Sequence, residues 1–268
     1  MTFIIAEIGV NHGGNIERAK YLIDAAKRSG ADAVKFQTYD ADKLEPPGQR
    51  RETLRELQLS KEDHFTLKDE AEDCGIEFMS TPFDPESLAF LAGDLGIKKI
   101  KLSSGAMFDH GLLRSAEGWR RPIILSTGMG DNKAIGEAVR ILKYAELSLL
   151  HCVSSYPTPT NELNLRAVKT LKEFGVPVGL SDHSLSLVAP AIAVSMGAVI
   201  IEKHLTANRG ALGPDHRASL EPDEFKKMVE YVRESETSLG DGAKTMRMCE
   251  VGTWKIIKER EAHRPSIS

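Results

Sequence analysis

The sequence lacks the features that mark several large classes of protein. Lysine and arginine number 35 against 39 aspartate and glutamate residues, so the net charge of −4 gives no electrostatic reason to expect a nucleic-acid partner. No apolar run approaches the roughly 18 residues of a membrane-spanning helix, and the start MTFIIAEIGV has no basic segment or cleavage site typical of a signal peptide. The three cysteines, Cys74, Cys152 and Cys249, are few and lack metal-ligand spacing. We therefore expect a cytoplasmic protein whose partners are neither nucleic acids nor membranes.

Short apolar runs alternate with amphipathic segments along the whole sequence. With 268 residues, of which 41% are hydrophobic, the chain can form one sizeable core. Eight β–α alternations with nearly continuous apolar strands predict parallel strands covered by helices. An open doubly wound sheet is the alternative, but the count of eight and the length favour a single-domain α/β fold, the (β/α)₈ TIM barrel. The predicted strands are residues 3–9, 33–37, 76–81, 98–104, 122–127, 147–153, 176–182 and 198–204.

The predicted barrel covers residues 1–240. One long insertion, residues 38–59, follows the second strand and is a candidate lid, because long loops in compact domains are commonly functional. Residues 241–268 are expected to form only a short C-terminal tail.

Polar side chains stand at the end of every predicted strand. Burying polar groups without partners is costly, and the active site of a barrel lies at the carboxyl ends of its strands. We therefore expect these side chains to meet in one pocket. They are Glu7, Lys35 with Gln37, Thr81, Lys101 with Ser104, Ser126 with Thr127, Ser154 with Tyr156, Ser181 with His183, and Glu202 with His204.

These strand ends suggest two kinds of binding site. Lysines at strand ends are commonly solvated rim residues, but Lys35 and Lys101 each follow an apolar run, and with the strand-end hydroxyls they would suit a phosphate group. His183 and His204 come from adjacent strands, and with glutamates nearby they could hold a divalent ion. A single histidine is more often structural, and for His12 an ordering role in a Gly-rich turn is as reasonable as catalysis.

Eight ordered motifs resemble those of one known family. They are AEIGVNHGGNIERAKYLIDAAKRSGADAVKFQTY, MSTPFD, KLSSG, STGM, SSYPTP, GLSDHS, EKHLT and GPDH. Over residues 3 to about 240 the sequence resembles the sialic acid synthase family, which includes N-acetylneuraminate synthase and spore-coat polysaccharide enzymes.

The resemblance implies a reaction and a set of roles. Family members condense phosphoenolpyruvate with an amino-sugar aldehyde, giving a 2-keto-3-deoxy sugar acid and phosphate, with Mn²⁺ or Mg²⁺ as cofactor and a homodimer as the usual assembly. His183 and His204 would bind the metal. Glu7, Glu202 and Asp215 would be catalytic, facing the acceptor sugar or the attacking water. Substrate would contact Lys35, Gln37, Thr81, Lys101, Ser104, Ser126, Ser154, Tyr156 and Ser181, most of them through phosphoenolpyruvate.

The sequence departs from the family pattern in two places, both on the acceptor side. The family's GSGE reads SSGA here, so Ala106 replaces a carboxylate. The sequence stops near HRPSIS, about where the family's antifreeze-like domain would begin, and we expect no such domain in this chain. Two other hypotheses stay open: a metal-dependent pyruvate aldolase or hydrolase, and a non-catalytic barrel that binds sugar phosphates.

Overall fold

Eight parallel strands form one sheet that curls into a barrel. The structure is a computed structural model that describes residues 1–263. The hydrogen-bonded strand order is β3-β2-β1-β8-β7-β6-β5-β4, and the two outermost strands of this order, β3 and β4, lie side by side. The predicted (β/α)₈ TIM barrel is therefore confirmed. The strands are β1 (Phe3–Gly9), β2 (Ala33–Thr38), β3 (Glu77–Pro82), β4 (Ile100–Leu102), β5 (Ile123–Ser126), β6 (Leu147–Cys152), β7 (Val178–Asp182) and β8 (Ile200–His204).

Helices alternate with these strands, as the amphipathic segments predicted. Short 3₁₀ turns and one π-helical segment, Phe90–Asp94, complete several of the connections. The α-helices are α1 (Ile16–Arg28), α2 (Ala41–Leu44), α3 (Gln49–Leu57), α4 (Lys61–Asp73), α5 (Pro85–Ala89), α6 (His110–Gly118), α7 (Asn132–Ile141), α8 (Ala167–Leu171), α9 (Ala189–Ser195), α10 (Pro222–Leu239) and α11 (Val251–Ala262).

Local sequence signals fix where two of these helices begin. The Ser60 side chain accepts a hydrogen bond from the backbone of Asp63, whose carboxylate accepts one from the Ser60 backbone, so a complete capping box starts α4. Asp84 caps α5, and Pro85 occupies its first position, where a missing N–H costs nothing. Serine and aspartate are both favoured N-cap residues, so the local sequence determines where these two helices begin.

The interior of the barrel is apolar at one end and polar at the other. Successive side chains of a strand point to opposite faces, so residues two positions apart share a face. Ile5 belongs to the apolar interior cluster and Glu7 lies two residues further on; Ile200 and Glu202 stand in the same relation. The candidate site therefore rests on an apolar floor. The buried floor residues are Ile5, Ala33, Met79, Ile124, Leu150 and Ile200.

The predicted lid is an ordered insertion that contains α2 and α3. The Tyr39 hydroxyl donates to the carbonyl of Leu54 over 3.1 Å, and the Ala41 N–H donates to Oε1 of Gln58 over 2.9 Å. Phe83, which follows β3, packs against the same small cluster as Tyr39. Hydrogen bonds and apolar contacts therefore hold the insertion on the barrel.

Inter-residue contacts divide the chain into two compact units, Met1–Glu236 and a second unit that begins at Thr237. The first unit contains all eight strands of the barrel, and the second contains α11. Residues 264–268 of the predicted tail lie outside the described residues. Among residues 1–263, none of the helices combines the length and the apolar character that crossing a membrane requires.

Candidate active site

A cavity of about 510 Å³ contains most of the predicted site residues. Thirteen of the fourteen line it, from Glu7 on β1 to His204 on β8, and Asp215 is the exception. Asp215 follows β8 and lies close to the wall of the cavity, because a Cβ added to Gly9 would meet Oδ2 of Asp215 at 3.2 Å and Nε2 of Gln37 at 3.0 Å. The fold therefore brings the strand ends together, while their individual roles remain predictions.

Lys35 and Glu7 form the first half of a buried charge network. They face each other in the register of β1 and β2, and Nζ of Lys35 lies 2.6 Å from Oε2 of Glu7. The Lys35 ammonium group also donates to Oγ1 of Thr81 over 2.7 Å, and Nε2 of Gln37 donates to Oε1 of Glu7 over 3.2 Å. Each of these side chains thus contacts a side chain on an adjacent strand.

Lys101 and Glu202 form the second half. Nζ of Lys101 lies 3.4 Å from Oε1 of Glu202 and donates to Oγ of Ser126 over 2.8 Å, while Ser181 donates to the same glutamate oxygen over 2.9 Å. Oε2 of Glu202 lies 3.7 Å from Nζ of Lys35, which joins the halves. We call Glu7, Lys35, Lys101 and Glu202 the inner ionic network.

The two carboxyl groups of this network have opposite pKa shifts. Burial raises the pKa of Glu7 to about 7, and the nearby ammonium group of Lys35 only partly opposes it. Burial also acts on Glu202, but the charges of Lys101 and Lys35 outweigh it and lower the pKa of this residue. Two carboxyl groups whose environments separate their pKa values are a common arrangement for acid–base catalysis. Glu7 is the member suited to exchanging protons near neutral pH.

His183 and His204 stand together beside the network, with ring centroids 5.5 Å apart. Nδ1 of His183 lies 2.8 Å from the carbonyl oxygen of Val153. Because a carbonyl can only accept, Nδ1 carries the proton and Nε2 is available as a ligand in the neutral ring. Burial, followed by the charge of His183, lowers the pKa of His204 well below its usual value. The neutral form that binds metal ions is therefore favoured at His204, whereas at His183 the interactions with Cys152 and the carbonyl of Val153 outweigh burial and raise the pKa.

The donor set fits a divalent ion in part. Nδ1 of His204 is buried without a hydrogen-bond partner, and such a polar atom calls for an explanation such as an ion or a water. Within residues 1–263, however, there is no cluster of three or more histidine, cysteine, aspartate or glutamate side chains arranged to hold a metal. The pair can therefore supply two ligands, and other positions would fall to water or substrate.

Four polar residues of the cavity were missed by the sequence analysis: Arg50, Ser103, Asp109 and Cys152. Cys152 ends β6 two residues after the floor residue Leu150, so strand alternation could have found it. Its sulphur lies 3.6 Å from Oγ of Ser104 and 3.8 Å from Nδ1 of His183. Arg50 is carried by the lid and Asp109 caps α6, so strand periodicity gave no signal for either.

Comparison with known proteins identifies the family. A model described as the NeuB family matches residues 22–244, which is most of the chain. This chain belongs to the NeuB family. The predicted resemblance is therefore confirmed. The prediction of a C–C bond-forming transferase is confirmed as well, since the named relatives of this NeuB chain are synthases.

Three relatives illustrate the range of the similarity. The N,N'-diacetyllegionaminic acid synthase of Legionella pneumophila is 44% identical over 90% of this chain and 74% of its own length. The human N-acetylneuraminate-9-phosphate synthase is 32% identical over 93% of this chain and 74% of its own length. A crystal structure of the N-acetylneuraminic acid (sialic acid) synthetase of Leptospira borgpetersenii, in complex with citrate, superposes with a TM-score of 0.88 at 35% identity, covering 99% of this chain and 93% of that one.

Proposed function

We propose that this NeuB-family chain condenses phosphoenolpyruvate with an aldose amino sugar, giving a 2-keto-3-deoxy sugar acid and phosphate. The observation that carries the proposal is the inner ionic network, where two buried lysines meet two glutamates at the edge of one cavity. The relatives' names, which denote synthases of legionaminic and N-acetylneuraminic acids, support the same class of reaction. They differ in whether the product carries a phosphate, so the names leave the phosphorylation of the acceptor open.

The lysine-rich end of the cavity suits phosphoenolpyruvate. This substrate carries up to three negative charges, and removing it from water requires compensating cations and donors. Lys35 and Lys101 supply the cations, and the hydroxyl groups of Thr81, Ser126 and Ser181 lie among them. We therefore assign this end of the cavity to phosphoenolpyruvate.

Gly128 brings a backbone N–H group to this end of the cavity. Its N–H group donates to Oγ of Ser104 over 3.0 Å, and a Cβ at this position would lie 2.8 Å from that oxygen and 2.3 Å from Oγ of Ser154. Only glycine allows the backbone to approach the two serines so closely. The STGM turn thus positions Ser104 and Ser154 at the cavity.

Glu7 is assigned the proton transfer of the hydration step. The enol carbon of phosphoenolpyruvate bonds to the aldehyde carbon, which leaves C2 cationic, and a water molecule then adds at C2. Glu7 accepts a proton from that water, and the oxygen of the former aldehyde takes up a proton to become a hydroxyl group. The bond between C2 and the phosphate oxygen then breaks as the C2 hydroxyl loses its remaining proton to the departing phosphate, which leaves a ketone at C2. A pKa of about 7 suits this role, because a general base works best near the operating pH.

His183 and His204 would hold the Mn²⁺ or Mg²⁺, and such an ion, when bound, supplies Lewis acidity toward an aldehyde oxygen. The Tyr156 ring packs against this pair: its centroid lies 4.1 Å from that of His183, and it meets the His204 ring edge-on with the centroids 5.9 Å apart. We assign Tyr156, with Gln37 and Asp215, to the acceptor side.

Phosphate release tests the proposed function. The purified protein is incubated with Mn²⁺, phosphoenolpyruvate and a panel of N-acetylated aldoses, and products are identified by mass. We expect release of phosphate together with a product that contains the carbon atoms of both substrates. Pyruvate in place of phosphoenolpyruvate is the matched control, and turnover with pyruvate instead would favour an aldolase. No phosphate release with any aldose would argue against a synthase.

Replacing one histidine tests the metal assignment. We expect His204→Ala to abolish binding of Mn²⁺, measured by elemental analysis after dialysis, because two imidazoles are the protein's own ligands. Circular dichroism and the unfolding transition should stay close to those of the unaltered protein, since His204 lacks a hydrogen bond at Nδ1. A full complement of Mn²⁺ in the variant would refute the assignment.

A further inference from the structure

Asn11 is a buried polar residue that the proposed function does not use. It lies in the turn that follows β1 and is fully buried. Its Nδ2 group donates to the carbonyl oxygen of Leu205 over 2.9 Å and to Oγ of Ser219 over 2.9 Å. A side-chain amide nitrogen carries two hydrogens, so both are directed to the loop that joins β8 to α10.

Ser219 extends this contact to Asp215. Its hydroxyl group accepts the hydrogen bond from Asn11 and donates to the carbonyl oxygen of Asp215 over 2.7 Å. Because a hydroxyl group has a single hydrogen to donate, the two contacts together fix its orientation. Two consecutive hydrogen bonds therefore join the Asn11 side chain to the backbone of Asp215.

The end of β1 leaves space for the Asp215 carboxylate. A β-bulge interrupts the pairing of β1 with β2 between Glu7 and Gly9, and Gly9 has a positive φ of 53°. A Cβ at Gly9 would lie 3.0 Å from Oε1 of Glu7 and 3.2 Å from Oδ2 of Asp215. Bulges are frequent beside active sites, where they redirect side chains. The bulge thus allows the Asp215 carboxylate to lie close to Glu7.

The base of the loop is closed by other hydrogen bonds. The N–H of Leu220 donates to the carbonyl of His204, and the N–H of Thr206 donates to the carbonyl of Leu220, each over 2.9 Å. These backbone contacts do not involve the side chains of Asn11 or Ser219. The hydroxyl of Ser219 therefore acts on the part of the loop that carries Asp215.

We propose that Asn11 and Ser219 are positioning residues that hold Asp215 at the acceptor side of the cavity. The inference rests on the proposed function, in which Asp215 serves the acceptor sugar. Neither residue has to touch a substrate, because both act through the backbone of Asp215. Their effect should be large for their distance from the chemistry, since a displacement of about 1 Å can cost about 100-fold in rate.

Ser219→Ala removes the connecting hydroxyl with little change in size. We expect kcat/KM for the fastest-reacting aldose of the panel to fall about tenfold, mainly through KM for the aldose. The Kd of phosphoenolpyruvate, measured by calorimetry, should be unchanged, because Lys35 and Lys101 keep their contacts. An equal loss of affinity for both substrates would overturn the inference, since it would indicate general damage to the cavity.

A double variant shows whether Ser219 acts through Asp215. In an Asp215→Ala background, Ser219→Ala should cause little further loss of kcat/KM, because no carboxylate remains to be positioned. Such non-additivity is expected of residues that act as one unit. A second loss of about tenfold in that background would overturn the inference.

Ser29 offers a matched control. It is also buried, its hydroxyl donates to the carbonyl of Pro222 over 3.2 Å, and it is not part of the cavity lining. Ser29→Ala therefore removes a comparable hydrogen bond to the chain that follows β8, and KM for the aldose should stay unchanged. An equal rise of this KM in Ser29→Ala would overturn the inference, because lost stability alone would then explain both variants.

Hydrogen exchange in the substrate-free protein tests the contact without turnover. Backbone amides of residues 211–218 should exchange faster in Ser219→Ala than in the unaltered protein, whereas Ser29→Ala should leave them unchanged. Unchanged exchange in Ser219→Ala, or turnover with an unaltered KM for the aldose, would overturn the inference and leave the synthase assignment standing. Absence of phosphate release by the unaltered protein with every aldose would overturn the proposed function and this inference with it.

Discussion

Two buried ionic groups occupy opposite faces of the same strand. Glu202 and Lys203 are consecutive on β8, and strand alternation points Glu202 into the cavity and Lys203 outward. Lys203 binds Oδ2 of Asp182 at 2.6 Å, both side chains are fully buried, and the ammonium group also donates to the carbonyls of Ser184 and Ser186. We call Asp182 and Lys203 the outer ion pair.

The inner ionic network is left incomplete by comparison. Oε2 of Glu7 and Oε2 of Glu202 are buried without a well-directed hydrogen bond, although Nζ of Lys35 lies 2.6 Å and 3.7 Å from them. In the outer ion pair, both charged groups have hydrogen-bond partners besides each other. Oδ1 of Asp182 accepts the N–H of Ser184, just as the Lys203 ammonium group donates to backbone carbonyls. A satisfied buried pair indicates a structural role, whereas unsatisfied charges facing a cavity indicate a ligand site.

The largest effect should come from breaking the outer ion pair. Lys203→Met leaves the carboxylate of Asp182 buried without its cation, and we expect the free energy of unfolding to fall by about 3–5 kcal/mol, measured by urea denaturation. The double variant Asp182→Leu with Lys203→Met removes both charges and should recover most of that loss. Equal stability of the single and double variants would show that the charges are not coupled.

The same substitution in the inner network should affect binding more than stability. Lys101→Met should weaken phosphoenolpyruvate about 10–100-fold by calorimetry, because charge-assisted hydrogen bonds contribute about 1.5–3 kcal/mol each. Its free energy of unfolding should change less than that of Lys203→Met, since Glu202 keeps Ser181 and Lys35 as neighbours. Acceptor affinity should change little. An equal loss of affinity for phosphoenolpyruvate and for the acceptor sugar would contradict the assignment of the lysine-rich end of the cavity to phosphoenolpyruvate.

A smaller effect should appear in the pH dependence of stability. Burial raises the pKa of Glu7 from an ordinary 4.5 to about 7, so the folded protein keeps a proton that the unfolded chain releases. This contribution to stability is fully present below the lower value and is lost as pH rises through the higher one, at about 1.4 kcal/mol per pH unit. Glu7→Gln should lack this decline in metal-free urea denaturation across the window. A decline of equal slope in the variant would show that another group titrates.

The sequence predicted the barrel and most of the site because both follow from strand periodicity. Apolar runs of the right number and spacing predicted the eight strands. The polar residues at their ends, such as Lys35 and His204, necessarily converge once the sheet closes. The same periodicity also predicts that Lys203 points outward, but its partner Asp182 could be recognised only once β7 and β8 were paired.

The missed residues depend on structure that periodicity does not encode. Arg50 reaches the cavity through the fold of the lid, which hydrogen bonds such as that from Tyr39 to Leu54 maintain. The sequence around Asp109 predicts only a helix N-cap, and its position at the cavity depends on where α6 lies in the fold. Helix α11 lies in the segment that was predicted only to be a short C-terminal tail, and nothing in the apolar pattern of that segment indicated a helix.

The register of β1 has a consequence for how the protein matures. β1 pairs with β2 on one side and with β8 on the other, and Glu7 faces Lys35 across one ladder and His204 across the other. A nascent chain that has emerged only as far as β7 holds both lysines but lacks Glu202 and His204. Pairing between strands that are distant in sequence forms late, because the entropy of the long loop must be lost before the stabilising contacts form. Acquisition of ligand affinity during synthesis would therefore report the moment at which the last strand docks on the first.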